Sequence, residues 1–186
     1  MNDSLDPGWR RAILGGLFGL IPFVGPRIVR GSKNALLLGR QLWIAFVVAL
    51  VAVGIVVLVL RSELDGGGIN AQVVAGVVAV VGVLTQVVAP RFIPPIEGRN
   101  NEEARQSAAR SMLLRIALAE SVALLSFMGV LLTGNAAIYL LGFALGMTGM
   151  ADAAPTASWV DKGQQQLRES GSTMNLLRAL TSGGPD

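Results

Sequence analysis

Four apolar stretches, each about twenty residues long, limit what this chain can fold into more than any other feature. They cover residues 42–60, 69–89, 112–132 and 136–155, and the last ends between Ala151 and Trp159. A helix of about 20 apolar residues crosses the ~30 Å of hydrocarbon in a bilayer. Across the chain 52% of residues are hydrophobic and 15% are charged. The pattern predicts an all-α, polytopic membrane protein whose four transmembrane helices form two antiparallel hairpins.

Basic residues lie almost entirely on one side of these stretches. Of the 15 Lys and Arg residues, only Arg61 lies in the loops that follow the first and third stretches. Short loops rich in Lys and Arg remain on the cytoplasmic side of a membrane. The distribution therefore predicts a multi-pass protein of the inner (plasma) membrane with both termini in the cytoplasm.

The regions outside the apolar stretches divide the chain into three predicted parts. Residues 1–40 form a basic, cytoplasmic interfacial segment, residues 41–160 the four-helix transmembrane domain, and residues 161–186 a polar cytoplasmic tail with a short helix near 174–180. Glycines and prolines interrupt residues 12–25, which we expect to be interfacial or re-entrant. Aromatic and basic side chains anchor proteins at the lipid headgroups, and the predicted anchors here are Trp9, Arg10, Arg11 and Trp43.

Small residues recur at helical spacing within the apolar stretches. In lipid, small residues mark the faces on which helices pack, because two backbones approach closely there. Two interpretations remain open: the small faces close the four helices on one another, or one of them docks a helix of another protein. The predicted packing residues are Ala75, Ala79, Gly82, Gly142, Gly146 and Gly149.

Polar side chains inside the apolar stretches are expensive in a membrane and need partners. A tight turn between the third and fourth stretches would place Arg115 level with Asp152, which predicts an ion pair at the inner interface. The same register predicts that Glu120 accepts a hydrogen bond from Thr148, or else from Gln86 of the second stretch.

The surroundings of Glu120 suggest a second role for this carboxylate. Residues 119–125, Ala-Glu-Ser-Val-Ala-Leu-Leu, resemble the carboxylate-bearing helix of the c-subunit of rotary ATPases. That resemblance implies a proton carried across the membrane on Glu120. The alternative is a buried structural carboxylate, or one that binds a basic residue of a partner.

The residues that are missing exclude several chemistries. The chain has no Cys and no His, so it has no disulfide, thiolate nucleophile, imidazole base or Cys/His zinc site. No phosphate-binding loop, hydrolase motif or carboxylate cluster follows from the sequence. We therefore expect a protein that is not an enzyme, with no catalytic, cofactor-binding or metal-binding residues and no nucleic-acid partner.

The overall pattern also resembles a known accessory subunit. Residues 19–27 (Gly-Leu-Ile-Pro-Phe-Val-Gly-Pro-Arg), the four stretches and the cytoplasmic Pro94-Pro95 link are similar to the lipid uptake coordinator of Mce-type lipid importers, in a cysteine-free composition that resembles small actinobacterial membrane proteins. The resemblance implies a non-catalytic subunit that stabilises a larger integral membrane complex, a lipid-import permease. The alternatives are a small ion- or proton-translocating protein centred on Glu120 and a stand-alone protein that binds membrane lipids.

Overall fold

The computed structural model describes residues 8–19, 34–64 and 68–181, in which helices are joined by turns and loops and no strand is present. The predicted all-α class is confirmed. Residues 20–33, which hold most of the segment that resembles the lipid uptake coordinator, lie outside the described ranges. The described ranges contain seven α-helices, which are α1 (Trp9–Gly19), α2 (Ala35–Leu60), α3 (Ala71–Val87), α4 (Asn101–Thr133), α5 (Ala137–Ala153), α6 (Ala157–Glu169) and α7 (Leu176–Thr181), with a 3-10 helix at Ala89–Phe92 after α3.

Two of these helices, α2 and α4, are each long and apolar enough to cross a membrane. A third crossing is present if α5 and α6 form one broken span, while α3 is apolar but has only 17 residues. The described residues therefore contain two or three helices compatible with crossing a membrane, where the sequence predicts four.

The ends of α3 explain why it is shorter than the predicted stretch of 69–89. Asn70 caps the first turn, because its side-chain oxygen accepts a hydrogen bond from the Gln72 backbone N–H at 2.8 Å. At the other end, Pro90 has no N–H to donate and disfavours the helical conformation of the residue before it. Pro155 ends α5 for the same reason, so that this helix stops at Ala153, inside the interval left open by the sequence.

Backbone contacts divide the chain into two compact units. The bundle unit consists of Phe46–Ile93 and Leu114–Asp152, and the terminal unit of the described residues within Met1–Ala45, Pro94–Leu113 and Ala153–Asp186. The helices α2 and α4 each contribute residues to both units.

The bundle unit has an apolar core formed by α2, α3, α4 and α5. Its buried residues are Val57, Val78, Val130, Ile138 and Tyr139. The one polar atom among these side chains is satisfied, since the Tyr139 hydroxyl donates a hydrogen bond to the Leu50 carbonyl at 2.6 Å. A buried hydroxyl without an acceptor would be costly, so this bond fixes where α5 packs against α2.

The terminal unit has its own apolar core, and α6 supplies much of it. This helix buries Val160, Gly163 and Leu167 on one face, at the spacing of an amphipathic helix. They pack with Leu36, Ile96 and the buried residues of α7. The sequence predicts the short helix near 174–180, which the structure places at α7, but the polar tail predicted from residue 161 misses α6.

Candidate functional site

The small residues of α5 form an internal seam with α4. A side-chain carbon added at Gly149 would lie 2.9 Å from the Ala119 Cβ, and one at Gly146 would lie 3.0 Å from the Ala119 carbonyl oxygen. An addition at Gly142 would overlap the buried Ser126 side chain. Glycine at these positions allows the close approach of α5 to α4. All three predicted α5 positions therefore serve helix packing within the bundle unit.

The small residues of α3 also face inward. A Cβ at Gly82 would lie 2.6 Å from the Leu145 Cδ1 and 3.3 Å from the Val122 Cγ1. Ala75 packs against the apolar core of the bundle unit, and Ala79 is partly buried. Five of the six predicted packing residues therefore lie against other groups of the bundle unit, as the first of the two interpretations expects.

The predicted ion pair between Arg115 and Asp152 is present. The Arg115 Nη1 lies 3.1 Å from the Asp152 Oδ2, and the two side chains are 24% and 60% exposed. The tight seam of α4 and α5 at Ala119 and Gly149 brings the two residues level. Arg115 Nε is buried and finds no acceptor in the part of the chain that is described.

The predicted hydrogen bond to Glu120 is wrong. Gln86 Nε2 and Thr148 Oγ1 both donate to the Leu145 carbonyl oxygen instead, and Glu120 accepts no hydrogen bond from any described residue. The reason is the rotation of α4: Ala119 faces α5, and the next residue points about 100° away around the helix. The Glu120 side chain is partly buried.

A cleft of about 140 Å³ opens beside the ion pair in the bundle unit. Its lining is partly polar and partly apolar. The polar lining comes from Arg115, Asp152, Thr148, Thr85 and Gln86, and the apolar lining includes Leu118, Val122 and Leu145. The sequence does not predict a role for Thr85, although this residue neighbours Gln86 on α3. Its hydroxyl donates to its own helix, and a threonine that faces lipid can do the same, so the sequence does not tell the two cases apart.

A second cleft, of about 200 Å³, lies in the terminal unit and is almost wholly apolar. Residues of α2, α4, α6 and α7 line it, among them Leu36, Leu42, Met112, Trp159 and Leu180. It carries no charged lining residue, which distinguishes it from the cleft in the bundle unit.

The predicted surface anchors Trp9 and Trp43 contact each other in the terminal unit. Their rings meet edge to face, with centroids 5.8 Å apart. The Arg40 guanidinium lies 4.9 Å from the centre of the Trp9 ring, and its Nε donates to the Pro155 carbonyl at 3.1 Å. Arg10 and Arg11 are exposed. The sequence places Arg40 only as a basic flank of the first stretch, and nothing in its neighbours indicates a buried guanidinium.

Comparison with known proteins adds no relative. No protein-family model matches this chain, and no match is found among curated proteins or among solved structures. A proposal about function must therefore rest on the geometry of the two units and on the sequence pattern.

Proposed function

We propose that this protein is a non-catalytic accessory subunit of the cell membrane that docks on a larger integral membrane complex through one face of α3. This open face consists of Val73, Gly76, Val80 and Val83. The observation that carries the proposal is Gly76, whose added Cβ would meet no atom within 4 Å. Among the described glycines of α2 to α6, every other one lies against a neighbouring group.

The energetics of a glycine support a partner at this position. Glycine inside a helix is about 1 kcal/mol less favourable than alanine, and Gly76 makes no contact with the described residues that requires a small residue. The packing of lipid chains on α3 is not improved by the absence of a side chain. The packing of a helix of another protein is improved, because a glycine lets the two backbones approach closely.

The residues around Gly76 fit the same purpose. Val73, Val80 and Val83 are 62%, 60% and 53% exposed. Valine in a helix has nearly one χ1 rotamer, so a face of valines loses little side-chain entropy when a partner helix packs on it. The open face is therefore a row of stiff valine side chains with Gly76, which has no side chain, near its middle.

The proposal includes the four-crossing topology predicted by the sequence, with both termini in the cytoplasm. From Arg115 to Thr133, α4 rises about 27 Å at 1.5 Å per residue, which matches the ~30 Å hydrocarbon thickness. The ion pair and the turn after Thr133 would then lie at opposite membrane surfaces. The resemblance to the lipid uptake coordinator favours a lipid-import permease as the larger complex.

The test is affinity purification from native membranes in mild detergent. We expect the wild-type chain to elute with a larger polytopic membrane chain at fixed stoichiometry, and Gly76→Leu to lose it, because the leucine would hold the partner backbone away. Val59→Phe is the matched control, since Val59 is 70% exposed on α2, outside the open face.

Two results would overturn this proposal. One is a wild-type chain that elutes without a larger partner, and the other is a Gly76→Leu variant that keeps it. A homo-oligomeric ring whose proton flux disappears in Glu120→Gln would support the ion-translocating alternative instead.

A further inference from the structure

The cleft beside Arg115 and Asp152 has the chemistry of a lipid headgroup site. We propose that it binds a zwitterionic phospholipid with a primary amine, such as phosphatidylethanolamine, with the phosphate at Arg115 and the ammonium at Asp152. This inference rests on the membrane placement in the proposed function, but it does not require the docking partner. It assigns a ligand to a site in the bundle unit alone.

The size of the cleft suits a headgroup. Its volume of about 140 Å³ is similar to that of the ~150 Å³ engineered cavity that binds benzene. A whole lipid is far larger, so only the headgroup and the first part of a chain would lie inside it.

The lining of the cleft includes both polar and apolar side chains, as the headgroup and acyl chain of a lipid require. Leu118 and Val122 follow Arg115 along α4 towards the turn at Gly134. At 1.5 Å per residue, Val122 lies about 10 Å from Arg115 along the helix axis. A lipid with its phosphate at Arg115 would therefore lay the start of its acyl chain along Leu118 and Val122.

Arg115 provides the donors for a phosphate. A guanidinium carries five N–H donors, and the contact with Asp152 joins one nitrogen, Nη1, to one oxygen. Its Nε is buried, so a lipid phosphate would meet the N–H groups of the two Nη atoms that Asp152 leaves unbound. Phosphate oxygens are among the acceptors that a guanidinium binds most strongly.

Apart from Gln86, whose amide nitrogen donates to the Leu145 carbonyl, the rest of the polar lining offers acceptors, which favours an ammonium group as well. The Thr148 hydroxyl gives its proton to the Leu145 carbonyl, and the Thr85 hydroxyl gives its proton to its own helix. Both oxygens then offer only lone pairs, and the Asp152 carboxylate is acceptor-only when ionised. A primary ammonium has three N–H donors for them, whereas the quaternary ammonium of phosphatidylcholine has none.

The charge of the cleft argues against a purely anionic lipid. Arg115 and Asp152 give the lining no net charge. An anionic headgroup such as phosphatidylglycerol would gain Arg115 but bring its charge beside the Asp152 carboxylate. Phosphatidylethanolamine would pair its phosphate with Arg115 and its ammonium with Asp152.

The test is native mass spectrometry of the purified, delipidated full chain with a graded lipid series. The probes are phosphatidylethanolamine, its N-methyl and N,N-dimethyl derivatives, phosphatidylcholine and phosphatidylglycerol, all with the same acyl chains. We expect one bound phosphatidylethanolamine per chain, held about tenfold more tightly than phosphatidylcholine, since a hydrogen bond to a charged group is worth about that factor. Affinity should fall stepwise with each methyl group. Equal affinity across the series would overturn the proposal without any variant.

Two variants and one control variant identify the side chains that produce the lipid preference. Asp152→Asn should reduce the preference for phosphatidylethanolamine over phosphatidylcholine to about twofold or less, because the amide leaves only a neutral acceptor. Glu102→Gln is the matched control, since it removes the carboxylate of another Arg–acid pair on α4, that of Arg105 and Glu102 in the terminal unit, and it should keep the wild-type preference. An unchanged preference in Asp152→Asn would overturn the assignment. Thr148→Val, which removes an acceptor and keeps the shape, should weaken the preference in a variant that retains the ion pair.

Further measurements separate this inference from its alternatives and from the docking proposal. Soluble O-phosphoethanolamine should compete only at much higher concentration than the lipid, and equal competition would mean that the acyl chain is not bound. Gly76→Leu should keep the lipid preference. Loss of the larger partner in that variant, with the preference intact, would show that the two proposals are independent.

Discussion

At the scale of single residues, Arg40 is the side chain whose replacement we expect to lower the stability of the protein most. It is 1% exposed, stacks on the Trp9 ring and donates to the carbonyl of Pro155, in the break before α6. A carbonyl in a helix break has no intrahelical donor, so the guanidinium satisfies a group that would otherwise be buried without a partner. One side chain therefore joins α1, α2 and the start of α6 within the terminal unit.

We expect Arg40→Met to lower the free energy of unfolding by about 3 kcal/mol, because it removes a charged hydrogen bond and a cation–π contact and leaves a carbonyl unpaired. The measurement is the midpoint of thermal unfolding in detergent, followed by tryptophan fluorescence. Arg168→Met is the control, since Arg168 is exposed on α6 and its loss should change stability by less than about 0.5 kcal/mol. Equal shifts of the unfolding midpoint in the two variants would contradict the role given to Arg40.

At the scale of secondary structure, proline and the residue that follows it decide where α5 ends and α6 begins. Pro155 stops the first helix, and Thr156 starts the second by accepting a hydrogen bond from the Trp159 backbone N–H at 3.3 Å. A proline followed by a Thr cap and an apolar residue every three or four positions is a readable start of an amphipathic helix. The sequence analysis does not predict α6 because most residues after 161 are polar. Val160 and Leu167 are only two apolar residues among many charged and amide ones.

We expect Thr156→Ala to destabilise α6 by about 1 kcal/mol, the usual contribution of an N-cap. Hydrogen exchange of the amides in the first turn of α6 should accelerate about fivefold, and Thr156→Ser should restore the wild-type rate. Ser158→Ala, at an exposed position in the same turn, serves as the comparison. If Ser158→Ala accelerates exchange as much as Thr156→Ala does, the cap is not what holds this end.

At the scale of the whole molecule, the topology can be mapped directly because the chain has no cysteine. In intact cells, a membrane-impermeant thiol reagent should label Ser62→Cys and Asn135→Cys, which lie in the two outer loops of the proposed topology. Asn100→Cys and Ser170→Cys should react only after the membrane is permeabilised. Labelling of Asn100→Cys in intact cells would contradict the proposed orientation of the hairpins. An unreactive Asn135→Cys would show that the turn after α4 does not lie on the outer face.

The sequence by itself determined the all-α class and the four apolar regions, because periodic backbone hydrogen bonding and apolar length are local properties. It also determined the pairing of Arg115 with Asp152, since a tight turn sets the register of the two helices that it joins. The tertiary structure decided what depends on the rotation of each helix about its axis. Among the described residues, Glu120 has no hydrogen-bond partner, Gly76 lies open and Thr85 lines a cleft, because a rotation of about 100° per residue separates contact from exposure. Packing over the whole bundle unit, not local sequence, selects that rotation.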